Sequence, residues 1–342
     1  AAGDGGAFLP FLASAIDVED DVFALLVGPE GRLVVTERDG ATRWEAALVG
    51  AALHDVALLD GRAYVTERVS GDVIAVADGA VVDRVTTGSD TFAVDRLGDM
   101  LLVTNRQGAA LPPSGAYQGD PALVTALDGD LAVRWRTPLS KTIHFLAYDG
   151  ARVWTANEDA LVVSALDPTT GEEVLRTAPV GLTVDHLAEA DGAWLFGSHL
   201  TDEVWRVDPA GGATGAEVCG WPFVTVPTAA GLVVPCQEDG RVWTLDPVTL
   251  DVRARRDVAH TLFPTCPDGL CTGHDTLVSA ARYGDDVVFT DPHAGALRFP
   301  DATVDLGDFP DRGALRHFDV AALGDTVIAF EPRSATVYAV RD

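Results

Sequence analysis

Val162-Val163-Ser164-Ala165-Leu166-Asp167-Pro168-Thr169-Thr170-Gly171 reads as an apolar strand that runs into an Asp-led turn. In such a turn Asp bonds the backbone two residues on, Pro presets φ, and Gly supplies a positive φ. The same phrase returns at Val73–Asp78, Leu123–Asp128, Val204–Asp208, Val242–Asp246, Leu297–Asp301 and Val337–Asp342. Successive turn Asp residues lie 50, 39, 41, 38, 55 and 41 positions apart. A period near 40 residues marks a repeat architecture.

Working outward, Thr142–Tyr148, the turn Asp149-Gly150 and Val153–Ala156 precede the quoted strand, and Glu173–Thr177 follows its turn. Each repeat is thus four short strands rich in Val, Thr, Trp and Tyr, without useful helical periodicity. The expectation is an all-β protein, a single β-propeller of four-stranded blades spanning residues 1–342. A β-sandwich would use about seven strands where this chain has roughly thirty. Asp39-Gly40-Ala41, followed by Thr42–Val49 and His54, aligns with Asp78-Gly79-Ala80, followed by Val81–Thr87 and Phe92. That adds an eighth turn, with Phe23–Val27 and Leu33–Thr36 as the strands before it. Eight blades are favoured, the last lacking an outer strand that Phe8–Ile16 could supply. The alternative is a seven-bladed ring in which Thr42–Val49 is the outer strand of the last blade. Either way strands from both termini close the ring, which protects an open edge.

Ala126-Leu127-Asp128-Gly129-Asp130-Leu131-Ala132-Val133-Arg134-Trp135 and Ala165–Gly171 resemble the repeat of quinoprotein-type, PQQ-like propellers. Ala63-Tyr64-Val65-Thr66-Glu67, with Asp72–Ala77 after it, resembles the YVTN propeller repeat. The resemblance covers most of the chain and implies fold, since one propeller scaffold hosts many functions. Quinone-cofactor enzymes of this superfamily usually carry a vicinal Cys pair and are longer. This chain has no Cys-Cys, which argues against PQQ.

The formal charge of −28 and pI near 4.4 exclude nucleic-acid binding and disfavour anionic membrane surfaces. No apolar run is long enough to span a bilayer. Residues 1–7 read as a flexible leader of the kind that follows a removed signal peptide or a lipid-tethered start. Four Cys is the even count that disulfides require, and among three possible connectivities Cys219–Cys236 with Cys266–Cys271 is preferred. These features point to a periplasmic or extracellular protein.

When the repeats are aligned on the turn between their first two strands, one position reads Asp55, Ala93, His144, His186, Thr225, Ser279 and Asp319. Inner strands are expected to be apolar throughout, so a recurring polar residue marks the mouth of the axial channel. His54 and His317 flank the same position. Imidazoles with carboxylates suit a divalent or transition metal. The alternative is that these residues cap strands or bond channel water. His54 and His317 also differ in parity, so both face alike only across a bulge. Cys266-Pro-Asp-Gly-Leu-Cys271-Thr-Gly-His274 misses the C-x-x-C-H spacing, which argues against haem and for a disulfide-clasped loop. Two segments depart from the repeat, 107–120 and 257–275, and such insertions often form binding surfaces. The expected function is a binding module holding a metal, small ligand or protein partner at its channel or loop face. The competing expectation is a metal-dependent lyase, hydrolase or oxidoreductase using the axial His/Asp cluster.

Overall fold

A computed structural model describes residues 14–27, 31–49, 52–106, 122–139, 143–157, 161–181, 187–258, 260, 262, 278–291, 293–306, 319–323, 326–331 and 336–341. Its strands form eight antiparallel sheets in chain order, seven of four strands and a last one of three described strands. The fold is an all-β propeller. The first strands of the blades are Ser14–Glu19, Leu53–Leu59, Thr91–Leu97, Ile143–Tyr148, Ala188–Ala190, Val226–Thr228, Ala280–Tyr283 and Asp319–Leu323. The second strands are Val22–Val27, Arg62–Glu67, Met100–Asn105, Val153–Asn157, Ala193–Ser198, Gly231–Cys236, Asp286–Asp291 and Thr326–Glu331.

Ring closure differs in detail from the sequence expectation. Of the segment 8–16 expected to edge the last blade, residues 8–13 lie outside the described residues, and Ser14–Ile16 open the first strand of blade 1, where they pair with Leu25–Val27. Thr42–Ala47 pairs with Arg32–Thr36 inside blade 1, so it is not the outer strand of the last sheet. Among the described residues, apolar burial joins the ends of the ring. Phe23, Leu25, Val27 and Val34 of blade 1 cluster with Ile328 of blade 8. Each of the other neighbouring pairs of blades shares its own apolar cluster. Removing such faces from water at about 25 cal/mol per Å² is the main drive for stacking sheets.

Burial is graded from the axis outward, and the most buried strand is not the innermost. The second strands of blades 1, 4 and 5 are buried at every position. The outer strand Ala80–Thr86 is nearly all exposed. First strands, expected to be apolar throughout, are mixed, and Asp95 and Arg96 of blade 3 are open to water. The reason is that one side of each first strand faces the channel rather than a neighbouring sheet.

The Asp-led turns behave as read. Asp167 Oδ1 accepts from the N–H groups of Thr169 and Thr170 at 2.9 and 2.8 Å. Asp246 Oδ1 does the same for Val248 and Thr249, and Asp208 Oδ1 for Ala210 and Gly212. These bonds hold the Asp167 and Asp246 carboxyl groups below the usual carboxylate range, Asp246 down to about 2 with help from Arg253. One turn also locks two blades together. Gly171 has φ +75°, and an added Cβ would sit 2.5 Å from the Trp135 ring of the preceding blade. Trp135 Nε1 donates to Pro168 O at 2.8 Å in the same turn.

Candidate functional site

In each blade the start of the first strand and the end of the second lie at one face. Thr91 pairs with Asn105 and Leu53 with Glu67. The connections leaving the second strands and those entering the first strands therefore share this loop face; the Asp-led turns lie on the opposite one. Segment 107–120 leaves the end of a second strand at Asn105, and segment 257–275 leads into a first strand at Ala280, so both insertions spring from the loop face. Residues 107–120 lie outside the described residues, as do most of 257–275. The second insertion begins tied to blade 6, with Val258 N–H on Gly240 O at 2.8 Å and Leu262 N–H on Gln237 O at 2.9 Å.

The aligned position sits where the inner ladder slips. Two residues, His54 and Asp55, oppose Thr66 between the pairs Leu53–Glu67 and Val56–Val65. Phe92 and Ala93 oppose Thr104 in the same way, and His144 is the extra residue between Ile143 and Phe145. A bulge frees a backbone N–H from the ladder and re-aims the side chain. Threonine hydroxyls of the second strands take those N–H groups: Asp55 N–H on Thr66 at 2.9 Å, Ala93 on Thr104 at 3.0 Å and Ser279 on Thr290 at 2.9 Å. The recurring pairs Thr66-Glu67, Thr104-Asn105 and Thr290-Asp291 carry this role. They were the signal in the sequence that the alignment on polar residues passed over.

Several aligned side chains bridge neighbouring blades. Asp55 Oδ2 accepts from Val94 N–H at 2.9 Å and Oδ1 from Val56 N–H at 2.9 Å. Ser279 Oγ accepts from Val320 N–H at 3.3 Å, and Thr225 Oγ1 donates to Leu195 O at 3.4 Å. Asp319 opens the first strand of blade 8. Its side chain and that of His144 lie outside the described residues, as do His186, His317, Cys266 and Cys271. Among the described residues no three His, Cys, Asp or Glu side chains are grouped to hold a metal ion.

The structure gathers instead a set of carboxylates along the channel that the alignment missed. Asp17 and Asp95 occupy one repeat position, two residues beyond the aligned one, with Ala57 between them. Asp17 Oδ2 accepts from Leu58 N–H at 2.6 Å. Glu19 accepts from Asp60 and Gly61 N–H and pairs with Arg96, which reaches from blade 3 to blade 1. Burial raises the carboxyl groups of Asp55, Asp95 and Asp17, and repulsion adds to it, from Asp95 and Asp17 on Asp55, from Asp17 on Asp95 and from Glu19 on Asp17. Asp95 is pushed up to about 7 by burial and by Asp17. Its exposed surface opens on the channel, where a charge is solvated less well than in bulk water.

At the mouth above them the chemistry changes sign. His54 Nδ1 is bonded to Phe92 O at 3.0 Å, and the two rings lie 4.0 Å apart. Burial, then the Arg68 guanidinium, lowers His54 to about 3, so it is neutral. Arg68 Nε donates to Asp90 Oδ1 at 2.6 Å, and Arg68 and Arg106 lie over the Phe92 ring at 5.4 and 4.8 Å. Elsewhere on the loop face, buried Asp291 holds His260 Nε2 at 2.8 Å and Arg298 Nε at 2.7 Å, and His260 stacks on His293. The disulfide Cys219–Cys236, Cα atoms 5.7 Å apart, ties the connection entering blade 6 to the end of its second strand.

No family model matches the chain, and no curated protein matches it by sequence. Among solved structures it is similar to BamB from Moraxella catarrhalis, at TM-score 0.69 and 14% identity over 96% of each chain. It is equally similar to the computationally designed Ika8 protein, at TM-score 0.69 and 12% identity over 97% of each chain. At these identities the likeness establishes the propeller fold, and function rests on the site.

Proposed function

We propose that this chain is a secreted or periplasmic binding module that engages a partner protein through its loop face. The observation that carries the reading is where apolar surface is left uncovered. The three most exposed large apolar side chains among the described residues are Val49 (87%), Val69 (72%) and Leu200 (57%), and all stand on that face. Contiguous apolar surface is a mark of interaction sites, and Val49 and Val69 stand on the neighbouring blades 1 and 2, with Leu200 apart on blade 5. Both insertions start there as well, and loops on a rigid scaffold commonly carry recognition. The disulfide supports an oxidising compartment.

Photo-crosslinking tests this. A benzophenone amino acid is placed at position 69, 200 or 248 and the protein is irradiated in its native cells. Val248 is also exposed but lies in an Asp-led turn on the opposite face. Adducts to the same protein from positions 69 and 200, with none from 248, support the reading. Adducts from 248 alone, or equally from all three, overturn it.

A further inference from the structure

Arg106 is a largely covered cation without a hydrogen-bonded partner among the described residues. Its side chain is 19% exposed, and the nearest carboxylate oxygen, Asp90 Oδ2, stands 4.0 Å from Nε. That is beyond hydrogen-bond reach, and a guanidinium presents five donors. The other oxygen of Asp90 already accepts from Arg68. The guanidinium of Arg106 is held by the Phe92 ring at 4.8 Å, and His54 lies against the same ring. Phe92 O can only accept, so His54 Nδ1 carries the proton and Nε2 is an acceptor without a donor among the described residues. Among the described residues, the charged groups acting on this imidazole are the two guanidiniums and Asp90, one positive charge in excess.

We infer that the channel mouth between blades 2 and 3 binds a small monocarboxylate that carries a neighbouring N–H or O–H donor. The carboxylate pairs with Arg106, whose planar fork matches it. The donor bonds His54 Nε2. One positive charge matches one negative charge. A phosphate dianion carries one charge more than Arg106 balances, and a metal cation is repelled by the two guanidiniums. A free hydroxy acid and a peptide C-terminus both offer this chemistry. The inference is independent of the partner surface, which is read by its own cross-links.

Calorimetric titration with N-acetyl-L-alanine, which has both groups, tests it. Saturable binding with Kd on the order of 1 mM is expected, with none for N-acetyl-L-alaninamide or inorganic phosphate. Arg106→Gln weakens binding at least about tenfold, as loss of a charge-assisted pair implies. Arg106→Lys, which keeps the charge but not the fork, weakens it less, and unchanged circular dichroism confirms that both variants fold. His54→Phe keeps the ring contact and brings N-acetyl-L-alanine down to the affinity of acetate. Lactate and acetyl-Gly-Gly-Ala identify the source: tighter binding of the tripeptide selects a C-terminus, and tighter binding of lactate a free acid. Absence of saturable binding, equal binding of the amide, or affinity unchanged by Arg106→Gln overturns the inference.

Discussion

Asp246 and Asp95 are the same residue type in two copies of one repeat, and their surroundings drive them in opposite directions. Asp246 stands on the turn face, where two backbone N–H groups and Arg253 hold its carboxyl at about 2. Asp95 stands in the channel, where burial and Asp17 push it to about 7. On the turn face Asp128, Asp167, Asp208 and Asp246 each have backbone N–H partners for their charge. The channel and its mouth hold carboxylates raised by one another, a neutral imidazole and an arginine with open donors. The strands serve both ends equally, so the difference lies in what the connections leave unsatisfied. Groups left in that condition are characteristic of functional ends.

The largest effect that sharpens this contrast comes from the covalent tie on the loop face. Replacing Cys219 and Cys236 together by Ala costs about 3 kcal/mol, from a crosslink closing a separation of 17 residues. Denaturant unfolding reads the loss, and hydrogen exchange should localise it to blades 5 and 6. A next, smaller effect breaks the turn face. Gly171→Ala costs about 2 kcal/mol, because Ala is strained at φ +75° and its Cβ meets the Trp135 ring. An unchanged melting curve for Gly171→Ala would remove the blade-locking role given to that turn.

The contrast itself was only half legible in the sequence. The turn face was fully readable, because Asp167, Asp208 and Asp246 act on N–H groups two to four residues away. The Cys219–Cys236 pairing was readable from spacing and count. The channel was not, because its groups meet across blades, from residues 41 or 77 positions apart, as in Asp17 with Leu58 and Glu19 with Arg96. The alignment picked Asp55 for its polarity, yet missed Asp17 and Asp95 two residues further on, since Ala57 interrupts that row. It also could not register the bulges at His54-Asp55 and Phe92-Ala93, which decide where those side chains go.

Two smaller effects test the electrostatics. Because folding raises Asp95, the native state binds more protons than the unfolded chain between about pH 4 and pH 7. The contribution of Asp95 is therefore present below about pH 4 and lost as pH rises through about 7. Asp95→Asn should raise stability at pH 8 by about 1 kcal/mol, allowing for screening by channel water, and leave it nearly unchanged at pH 4. Equal effects at both pH values would place the cause in shape rather than charge. Asp246 has the opposite sign. Its stabilisation is full above about pH 4 and fades as pH falls through about 2. Asp246→Ala should lower the melting temperature at pH 7 by about 1 °C, and the difference from the parent should vanish below pH 2.

The most direct test of the division between the two ends is to follow the side-chain carboxyl carbons of Asp95 and Asp246 by NMR across pH. Midpoints far apart are expected, with Asp95 near 7 and Asp246 near 2. Midpoints for both near the ordinary Asp value of about 4 would contradict that division.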